Sequence, residues 1–487
     1  MKSERSKLPV ILILVILVST GVTACTKKDK PKPEEPGPGN SVKSWVTTGD
    51  RAQLLAAGRE ISFISSVPAG QAVLRIDTAI TYQEVEGYGA ALTGSSAWLI
   101  NRKLTPQTRQ ALLNELFDPE AGIGISYLRL TMGASDFSLS DFTYNDLPAG
   151  QTDFGLNNFS LSQDRDDVIP VMKEILQISP DLSILGSPWS PPAWMKTNGK
   201  LAGGKLKTDC YPVYAEYFVR YIRAMAEEGI TIDAVTIQNE PLHFTANYPC
   251  MQMQAGEQLQ FIKNNLGPVF AAEGISTKII TYDHNWDRPD YPITILDDPD
   301  ARQYVAGSAF HAYAGDVSAM GTVHQAHPDK ALYFTEISGG AWATDFAGNL
   351  MWNMRNIFIG TARNWSKNAL LWNLALDENY GPQNNGCNNC RGVITINSVT
   401  GEITRNEEYY AIAHFSKFVR PGARRISGNL PQSAGDAGVV AFQNADGSKV
   451  LIAANYSGDA VGFAVEQGPR IFTVNLPATS VTSFVWK

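Results

Sequence analysis

The sequence has few of the residues from which metal and redox sites are usually built. Its 487 residues include five cysteines and six histidines. No two histidines have the spacing His-x-x-x-His, and the spacing Cys-x-x-Cys occurs once, at Cys387 and Cys390. Because a zinc site needs several such ligands at short spacing, the sequence predicts no metal site and no cofactor.

Positive charge is not in excess either. The chain has 40 lysine and arginine residues against 48 aspartate and glutamate residues, and its formal net charge is -8. Proteins that bind nucleic acid normally present a basic face. We therefore expect no nucleic-acid partner.

The start of the chain lacks a hydrophobic run of transmembrane length. The apolar stretch from Leu8 to Val18 is shorter than the roughly 20 residues that span a bilayer. A basic start precedes it, and Val22-Thr23-Ala24-Cys25 follows it. This order predicts a targeting segment over residues 1–24 and resembles a bacterial lipoprotein signal, in which Cys25 is lipidated and becomes the new N-terminus. The alternative is an ordinary secretory peptide cleaved nearby.

Residues 25–40 are rich in lysine, glutamate, proline and glycine. Such a segment buries too little apolar surface to fold, and its prolines favour an extended tether. We therefore expect an exported protein that is lipid-anchored through Cys25 at the bacterial cell envelope, on the outer membrane or the cell surface.

The remaining composition is that of a folded protein. The chain is 44% hydrophobic and 18% charged, which is typical of a globular protein with an ample core. Its length suits a (β/α)₈ barrel with an appended domain. We expect the protein to be a monomer.

An alternation of strands and helices fills the middle of the chain. From Val85 onward, near-continuous apolar stretches alternate with helical ones such as Tyr211–Glu228 and Ala255–Gly267. Eight apolar strands of this kind predict a closed parallel sheet, the (β/α)₈ TIM barrel, over residues 83–415. The predicted strands contain or end at Gly87–Gly89, Tyr127–Leu130, Ile184–Ser187, Ala234–Ile237, Lys278–Thr281, Gly307–Phe310, Ala331–Phe334 and Ala369–Trp372.

Shorter strand patterns occur on both sides of the predicted barrel. Residues 416–487 contain a hairpin signal with Asp446-Gly447 between two apolar stretches, and the strand pattern continues to the end. Residues 41–82 contain similar pieces without a convincing helix. Together these segments predict an appended β-sandwich formed from both the C-terminus and an N-terminal segment.

Two carboxylates follow predicted barrel strands. Glu240 comes at the end of the fourth strand and Glu336 at the end of the seventh, so both face the rim on which barrel active sites lie. A retaining glycosidase needs two carboxyl groups about 5–5.5 Å apart, one as acid and base and the other as nucleophile. Asn239 would supply an amide to a sugar hydroxyl. The alternative is that Asn239-Glu240-Pro241 is only a turn that starts a helix.

Motifs along the predicted barrel carry a family resemblance. They are Gln83-x-x-x-Gly87-Tyr88-Gly89-Ala90-Ala91-Leu92-Thr93, Ser187-Pro188-Trp189-Ser190-Pro191-Pro192-Ala193-Trp194-Met195-Lys196, His311-Ala312-Tyr313, Trp372-Asn373-Leu374-Ala375-Leu376 and His414-Phe415-Ser416-Lys417-Phe418-Val419-Arg420-Pro421-Gly422. From about residue 75 to the C-terminus, the chain resembles glycoside hydrolase family 30, which includes glucosylceramidases and β-glucanases.

The resemblance implies a role for each matching residue. Glu240 would be the acid/base and Glu336 the nucleophile of a retaining hydrolase of β-glucosidic bonds. Arg129 would keep Glu336 ionised, since a guanidinium lowers the pKa of a nearby carboxylate, although a structural ion pair would leave the same pattern. The remaining residues would line the sugar subsite or support it, and these are Trp189, Asn239, His311, Tyr313 and Trp372. The alternative for the two tryptophans is core packing.

One position departs from the family pattern. Glucosylceramidases usually have an aspartate, which grips the far side of the terminal sugar, where this chain has Gly94. Glycine cannot accept those hydrogen bonds, so the pocket would be open to a further sugar. We therefore predict an endo-β-1,6-glucanase acting on a β-glucan polysaccharide or oligosaccharide. The alternatives are an exo-acting β-glucosidase or glucosylceramidase-like enzyme, and a carbohydrate-binding lipoprotein without catalysis.

The loop after the eighth strand contains two cysteines. In an exported protein, Cys387 and Cys390 could form a local disulfide that stiffens an active-site loop and brings Asn388 or Asn389 to the substrate. Cys210 and Cys250 could form a second disulfide, and the sequence does not decide this pairing.

Overall fold

The computed structural model describes residues 41–487. The predicted targeting segment, the lipidation site Cys25 and the tether lie outside the described residues. None of the helices between residues 41 and 487 is both long and apolar enough to cross a membrane.

Eight parallel strands form the central sheet, and each contains a predicted strand segment. In chain order they are Gly87–Leu92, Tyr127–Met132, Ser183–Pro188, Ala234–Thr236, Lys278–Asn285, Val305–His311, Ala331–Glu336 and Asn368–Leu371. The second to seventh strands each pair with the strand before them in the chain, and the eighth strand pairs with the first. The prediction of a (β/α)₈ barrel is therefore confirmed.

The barrel closes through a reduced contact between its seventh and eighth strands. A single bridge joins Leu332 to Ser366, and Lys367 N donates to Leu332 O at 2.9 Å. The side-chain oxygen of Asn368 then accepts the next hydrogen bond, from Phe334 N at 2.8 Å. An amide side chain thus replaces a backbone carbonyl in the ladder, which satisfies a buried N–H group.

Helices cover the outside of the barrel. Several begin at residues that are well suited to the position, for example Thr105, whose side chain accepts from Thr108 N ahead of Pro106 at the first helical position. Two helices contain π-helical turns, at Ile262–Leu266 and Asn353–Phe358. The α-helical segments are Gly94–Arg102, Pro106–Phe117, Val168–Ile178, Tyr211–Glu227, Ala255–Phe261, Gly267–Ala272, Asp290–Asp297, Pro299–Arg302, Ser318–Ala326, Phe346–Trp352, Ile359–Arg363 and Glu407–Ser416.

The inside of the barrel is filled by side chains. One buried cluster takes a residue from each strand after the first, as is usual for the layered core of such barrels. Its members are Tyr127, Leu185, Ala234, Ile280, Ala309, Tyr333 and Leu370. Because this layer blocks the middle of the barrel, substrate can reach the strands only at their ends.

The second region is a β-sandwich with its own core, built from both ends of the described chain. The first strand, Ser41–Thr48, pairs antiparallel with the last, Ser480–Trp486. A bridge between Ile64 and Ile471 links the two edges of the sheet, so its strands follow a closed path. The strands are Ser41–Thr48, Ala56–Ala57, Ile61–Ser62, Val73–Glu84, Arg424–Asn429, Ala437–Gln443, Lys449–Asn455, Val461–Gln467, Arg470–Leu476 and Ser480–Trp486.

Short strands order the loops at the carboxyl ends of the barrel strands. Gly339–Gly340, just after the seventh strand, pairs with Cys390–Arg391 in the loop after the eighth. A further small sheet contains Ala375–Leu376, Ile394–Ile396 and Ile403–Arg405. These pairings fix the loops that surround the mouth of the barrel.

Candidate active site

The two predicted catalytic carboxylates meet at the mouth of the barrel. Glu336 is the last residue of the seventh strand, and Glu240 lies four residues beyond the fourth. One oxygen of each carboxylate and a ring nitrogen of His311 lie within 4.8 Å of one another. This separation suits a retaining glycosidase, since an inverting enzyme keeps its carboxyl groups about 6.5–9.5 Å apart to admit a water molecule.

Glu240 does not start a helix, so the interpretation of Asn239-Glu240-Pro241 as a helix-starting turn is wrong. The next helix begins at Ala255. Glu240 has a φ of 44°, a left-handed conformation that is uncommon for a residue with a side chain. Its backbone N–H donates to the carbonyl of Asp283 at 2.9 Å, which holds this conformation in place.

Arg129 is completely buried and joins the site residues together. Its guanidinium donates to Glu336 Oε2, to Asn239 Oδ1 at 2.7 Å and to Asp283 Oδ2 at 2.8 Å. It also donates to Ser187 Oγ at 3.1 Å. A planar guanidinium with several fixed donors suits this arrangement, because it orients two carboxylates and an amide at once.

Asp283 is a site residue that the sequence analysis missed. Its Oδ2 accepts from Arg129 and from Thr236 Oγ1, and its Oδ1 lies 3.0 Å from His311 Nε2. Tyr282 and Asp283 have φ values of 74° and 68°, and the pairing of the fifth and sixth strands shifts beside them. This bulge turns the Asp283 side chain toward the site. A charged residue near the end of an otherwise apolar barrel strand was the available signal.

His311 lies between Asp283 and Glu240. Its Nε2 faces Asp283 Oδ1, and its Nδ1 faces Glu240 Oε1 at 3.0 Å. Burial alone would lower the pKa of His311, but the carboxylates of Glu336, Asp283 and Glu240 raise it to about 9. Burial alone would raise the pKa of Glu240, but the hydrogen bond and charge of His311 lower it to about 2.

These opposite shifts describe one proton held between two atoms. The proton sits on His311 Nδ1 or on Glu240 Oε1, and the pair keeps it until the pH approaches the higher of the two values. Asp283 stabilises either form, because its carboxylate accepts a hydrogen bond from Nε2 in both. The Glu240–His311 pair can therefore store and deliver a proton.

Both oxygens of Glu336 face hydrogen-bond donors. Arg129 donates to Oε2, and the Tyr313 hydroxyl donates to Oε1 at 2.9 Å. The pKa of Glu336 is raised above its usual value, because burial and the charge of Glu240 outweigh the opposing positive charges of His311 and Arg129. The contacts favour the ionised form, since each oxygen is already occupied by an incoming N–H or O–H group.

The two tryptophans are more buried than expected for sugar-binding residues. Trp189 and Trp372 are 2% and 3% exposed, and their rings stack 5.1 Å apart at 19°. Arg129 lies over both rings, and Phe137 packs against Trp372 at 6.3 Å. Core packing therefore accounts for most of their surface, and they form an apolar wall behind the charged cluster.

Asp136 is a second residue that the sequence analysis did not identify. It is half-buried in the loop after the second strand, beside Gly386 of the loop after the eighth. Burial raises the pKa of Asp136 well above its usual range, and the charges of Glu336 and Glu240 raise it further. The mouth of the barrel thus contains a fourth carboxyl group near the predicted pair.

The loop after the eighth strand contains a disulfide between Cys387 and Cys390, whose Cα atoms are 5.5 Å apart. Asn388 is exposed in this loop, and none of the hydrogen bonds described above reaches it. Cys210 and Cys250 are both buried and free, so the possible second disulfide is absent from this structure.

Glu240, His311 and Glu336 also satisfy the distances of a metal-ligand set. Their polar atoms are engaged, however, since both ring nitrogens of His311 face carboxylates and both oxygens of Glu336 accept hydrogen bonds. The buried guanidinium beside Glu336 would also repel a cation. The donor set therefore fits proton transfer better than metal binding.

A (β/α)₈ barrel with two carboxylates this close on its rim has the features of a retaining glycoside hydrolase. The model of the glycosyl hydrolase family 30 TIM-barrel domain matches residues 85–419, and that of the family 30 beta sandwich domain matches residues 422–484. The chain belongs to glycosyl hydrolase family 30, and it is a glycosidase.

Individual relatives resemble the chain over most of its length. An endo-1,6-beta-D-glucanase of Neurospora crassa is 39% identical over 79% of this chain and 81% of its own. The lysosomal acid glucosylceramidase of Mus musculus is 30% identical over 83% of this chain and 82% of its own. A solved structure, the endo-beta1,6-glucanase BT3312, has a TM-score of 0.85 at 37% identity and covers 92% of this chain and 99% of its own.

Proposed function

We propose that the protein is an endo-acting glucanase that cleaves β-1,6-glucosidic bonds with retention of configuration. The observation that supports the mechanism is the short separation of Glu240 and Glu336, with a buried guanidinium on one carboxylate and a proton-carrying histidine on the other. The names of the relatives, an endo-1,6-beta-D-glucanase and the endo-beta1,6-glucanase BT3312, support the choice of linkage.

The reaction proceeds in two displacements. In the first, Glu336 attacks the anomeric carbon, and Glu240 gives its proton to the leaving glycosidic oxygen, which forms a glucosyl ester on Glu336. In the second, Glu240 takes a proton from water, whose oxygen attacks the same carbon and releases Glu336. His311 supports both steps, because it exchanges a proton with Glu240 at 3.0 Å.

Two further residues position the reacting groups. Asn239 is held by Arg129 through its side-chain oxygen, which leaves its amide N–H groups for a sugar hydroxyl. The Tyr313 hydroxyl donates a hydrogen bond to Glu336 Oε1 at 2.9 Å. The sugar replaces this hydroxyl beside Glu336 as the glucosyl ester forms. Both contacts hold their partners before substrate arrives, which reduces the entropy lost on the way to the transition state.

Gly94 supports action on a polymer. A Cβ atom placed on this residue would make ordinary contacts with Ser138 at 3.6 Å, so the site has room for a Cβ that this chain does not have. The family resemblance associates an aspartate there with closure around a terminal sugar. An open end admits a further glucosyl unit, and this suits an enzyme that cleaves within a chain.

A product analysis tests the proposal. The purified protein is incubated with β-1,6-glucan, β-1,3-glucan, xylan and an aryl β-glucoside, and the products are separated over time. We expect oligosaccharides from β-1,6-glucan at early times and little product from the other two polymers. Release of glucose alone from chain ends would instead support the exo-β-glucosidase or glucosylceramidase-like alternative, which the mouse relative also favours.

A carbohydrate-binding protein without catalysis remains the alternative of a different class. It would bind β-1,6-glucan and leave the polymer intact under all conditions. Arg129 contacts the nucleophile candidate Glu336, His311 contacts the acid/base Glu240, and one oxygen of each glutamate lies within 4.8 Å of the other, which argues against a lost activity.

We also propose that the enzyme acts as a monomer at the cell envelope, anchored by lipid on Cys25. The support is the targeting pattern of residues 1–24 and the composition of the tether. Labelling of growing cells with a fatty-acid analogue should mark the wild type, and Cys25→Ala should abolish the label. Light scattering of the detergent-solubilised protein should give the mass of a single chain.

A further inference from the structure

A cavity of about 500 Å³ opens beside the nucleophile, and none of the mechanistic steps uses it. We call it the side cavity and define it by its lining residues, which are Ala312, Tyr313, Ile337, Ser338, Trp342, Ala343, Gly348, Asn349, Trp352 and Asn353. Tyr313 joins it to the catalytic cluster, because the same side chain lines the cavity and donates to Glu336. The side cavity therefore adjoins the site of cleavage, with the Tyr313 side chain at the boundary between them.

The lining of the side cavity suits a neutral, amphipathic ligand. None of its lining residues is charged, although the neighbouring catalytic cluster is rich in acids. Trp342 and Trp352 are 55% and 42% exposed, whereas Trp189 and Trp372 behind the cluster are buried. Exposed aromatic rings beside a catalytic centre offer apolar surface to a ligand, and the C–H faces of glucose rings pack well against such rings.

Trp342 is held in place before any ligand binds. Gly340 pairs with Cys390, and Ala341 N donates to Asn389 O at 2.9 Å, so the loop of Trp342 is tied to the disulfide loop. A Cβ atom on Gly340 would overlap the indole ring, so the ring rests directly on the glycine backbone. A ring fixed in this way loses little entropy when a sugar stacks on it.

The position of the side cavity decides which part of the substrate it would take. Gly94 and Trp189, which the family resemblance assigns to the pocket for the cleaved sugar, lie after the first and third strands. The side cavity lies after the sixth and seventh strands, across the mouth of the barrel. A glucan that enters the sugar pocket past Glu240 and Glu336 would therefore extend its other end into the side cavity.

We propose that the side cavity binds the glucosyl units on the leaving-group side of the cleaved bond, with Trp342 and Trp352 as stacking platforms. This inference rests on the proposed function and adds a subsite to it. It commits to glucan as the occupant. A glucosyl lipid, whose alkyl chains would also suit an apolar cavity, is the competing outcome of the test.

The experiment compares kcat/KM for β-1,6-gluco-oligosaccharides of increasing length with kcat/KM for an aryl β-glycoside, whose leaving group is too small to fill the side cavity. Trp342→Ala and Trp352→Ala should each lower kcat/KM on the longer oligosaccharides about tenfold, and far less on the aryl substrate. Ile80→Ala, at a 48% exposed site in the sandwich strand Val73–Glu84, is the matched control and should behave as the wild type.

Transfer of glucose to an acceptor gives an independent readout. An oligosaccharide that intercepts the glucosyl ester must first bind on the leaving-group side. Both alanine variants should therefore give less transfer product relative to hydrolysis. Trp342→Phe and Trp352→Phe keep a flat aromatic ring, so they should recover most of the lost kcat/KM on long oligosaccharides and most of the lost transfer product. A melting curve of each variant shows whether a loss comes instead from impaired folding.

The inference is overturned if the tryptophan variants lose the same factor on both substrate types, match Ile80→Ala, or lose activity only on a glucosyl lipid. It is also overturned if the phenylalanine variants are as impaired as the alanine variants. A wild-type enzyme that cleaves no β-1,6-glucan overturns the proposed function itself, and the subsite with it.

Discussion

The two ends of the barrel treat buried charge differently. At the amino ends of the strands, Glu86 lies between Lys278 at 2.9 Å and Lys367 at 3.0 Å, and the Tyr333 hydroxyl also donates to it. Burial alone would raise the pKa of Glu86, but the charges and hydrogen bonds of the two lysines lower it. Glu86 thus has a lysine on each of its two carboxylate oxygens.

At the carboxyl ends, three acids share one guanidinium and the imidazole of His311. A second imidazole, that of His284, lies 3.8 Å from Glu240, and burial lowers its pKa to about 4. Asp283 and Glu336 both contact Arg129, and Glu240 depends on His311 for its partner. Acid is in excess here, so one proton stays within the cluster and can move between atoms. The same fold therefore uses buried charge for stability at one end and for proton transfer at the other.

Loss of the charge on the nucleophile Glu336 should reduce activity most. Glu336→Gln should lower kcat on β-1,6-glucan by about 10⁴-fold or more, because no covalent intermediate can form. Its melting temperature should stay the same or rise, since an acid is removed from an acid-rich cluster. Steady-state kinetics measure the change in kcat, and a thermal melt measures the change in melting temperature. Unchanged hydrolysis by Glu336→Gln would contradict the mechanism.

Removal of His311 should change the pH profile. The wild type should lose kcat/KM as the pH rises through about 9, because the Glu240–His311 pair then gives up its proton. His311→Asn leaves Glu240 to hold the proton alone, so the alkaline limb should move to lower pH, with kcat/KM about 10²-fold lower at the optimum. A profile with an unmoved alkaline limb would show that His311 does not share that proton.

A smaller effect is expected at the open end of the sugar pocket. Gly94→Asp should fit sterically, since the nearest atoms to a new Cβ are 3.6 Å away. Its carboxylate would compete with the next glucosyl unit, so kcat/KM on β-1,6-glucan should fall about tenfold and glucose should increase among the products. Gly94→Ala adds the Cβ without the carboxylate and is the matched control. An unchanged product pattern in Gly94→Asp would contradict the role assigned to this position.

The smallest effect on activity is expected at the opposite end of the barrel. Glu86→Gln should leave kcat unchanged and lower the free energy of unfolding by about 1–2 kcal/mol at pH 7. The folded-state pKa of Glu86 is lowered, so its contribution is present above the unfolded pKa and is lost as the pH falls. Denaturant titrations should therefore show the difference shrinking below about pH 4. A loss of kcat in Glu86→Gln would contradict the assignment of Glu86 to stability rather than to catalysis.

Local patterns in the sequence were enough to predict the barrel and its two carboxylates. Apolar strands such as Ala331–Glu336 are recognisable within a few residues, and the parallel arrangement brings their ends to one rim. The sandwich was predicted less completely. Strands such as Ser41–Thr48 and Arg424–Asn429 have weak local patterns and depend on partners far away in the chain.

The details of the site could not be predicted, because they arise from contacts between distant segments. Asp283 turns inward through a bulge whose register is set by the neighbouring strand. The burial of Trp189 and Trp372 depends on the two rings stacking on each other across the site. The side cavity likewise forms where the loops after two different strands meet.

The sandwich has a consequence for how the protein reaches its native state. Ser41–Thr48 pairs with the final strand, with Lys43 opposite Val485, and buried His414 bonds to both Thr47 and Ser483. During synthesis, Ser41–Thr48 therefore cannot form its pairing with Ser480–Trp486 until the end of the chain has been made. Non-local pairings of this kind form slowly and leave a strand edge exposed in the meantime. The strand Ser41–Thr48 is thus the last part of the sheet to pair, and aggregation can start there.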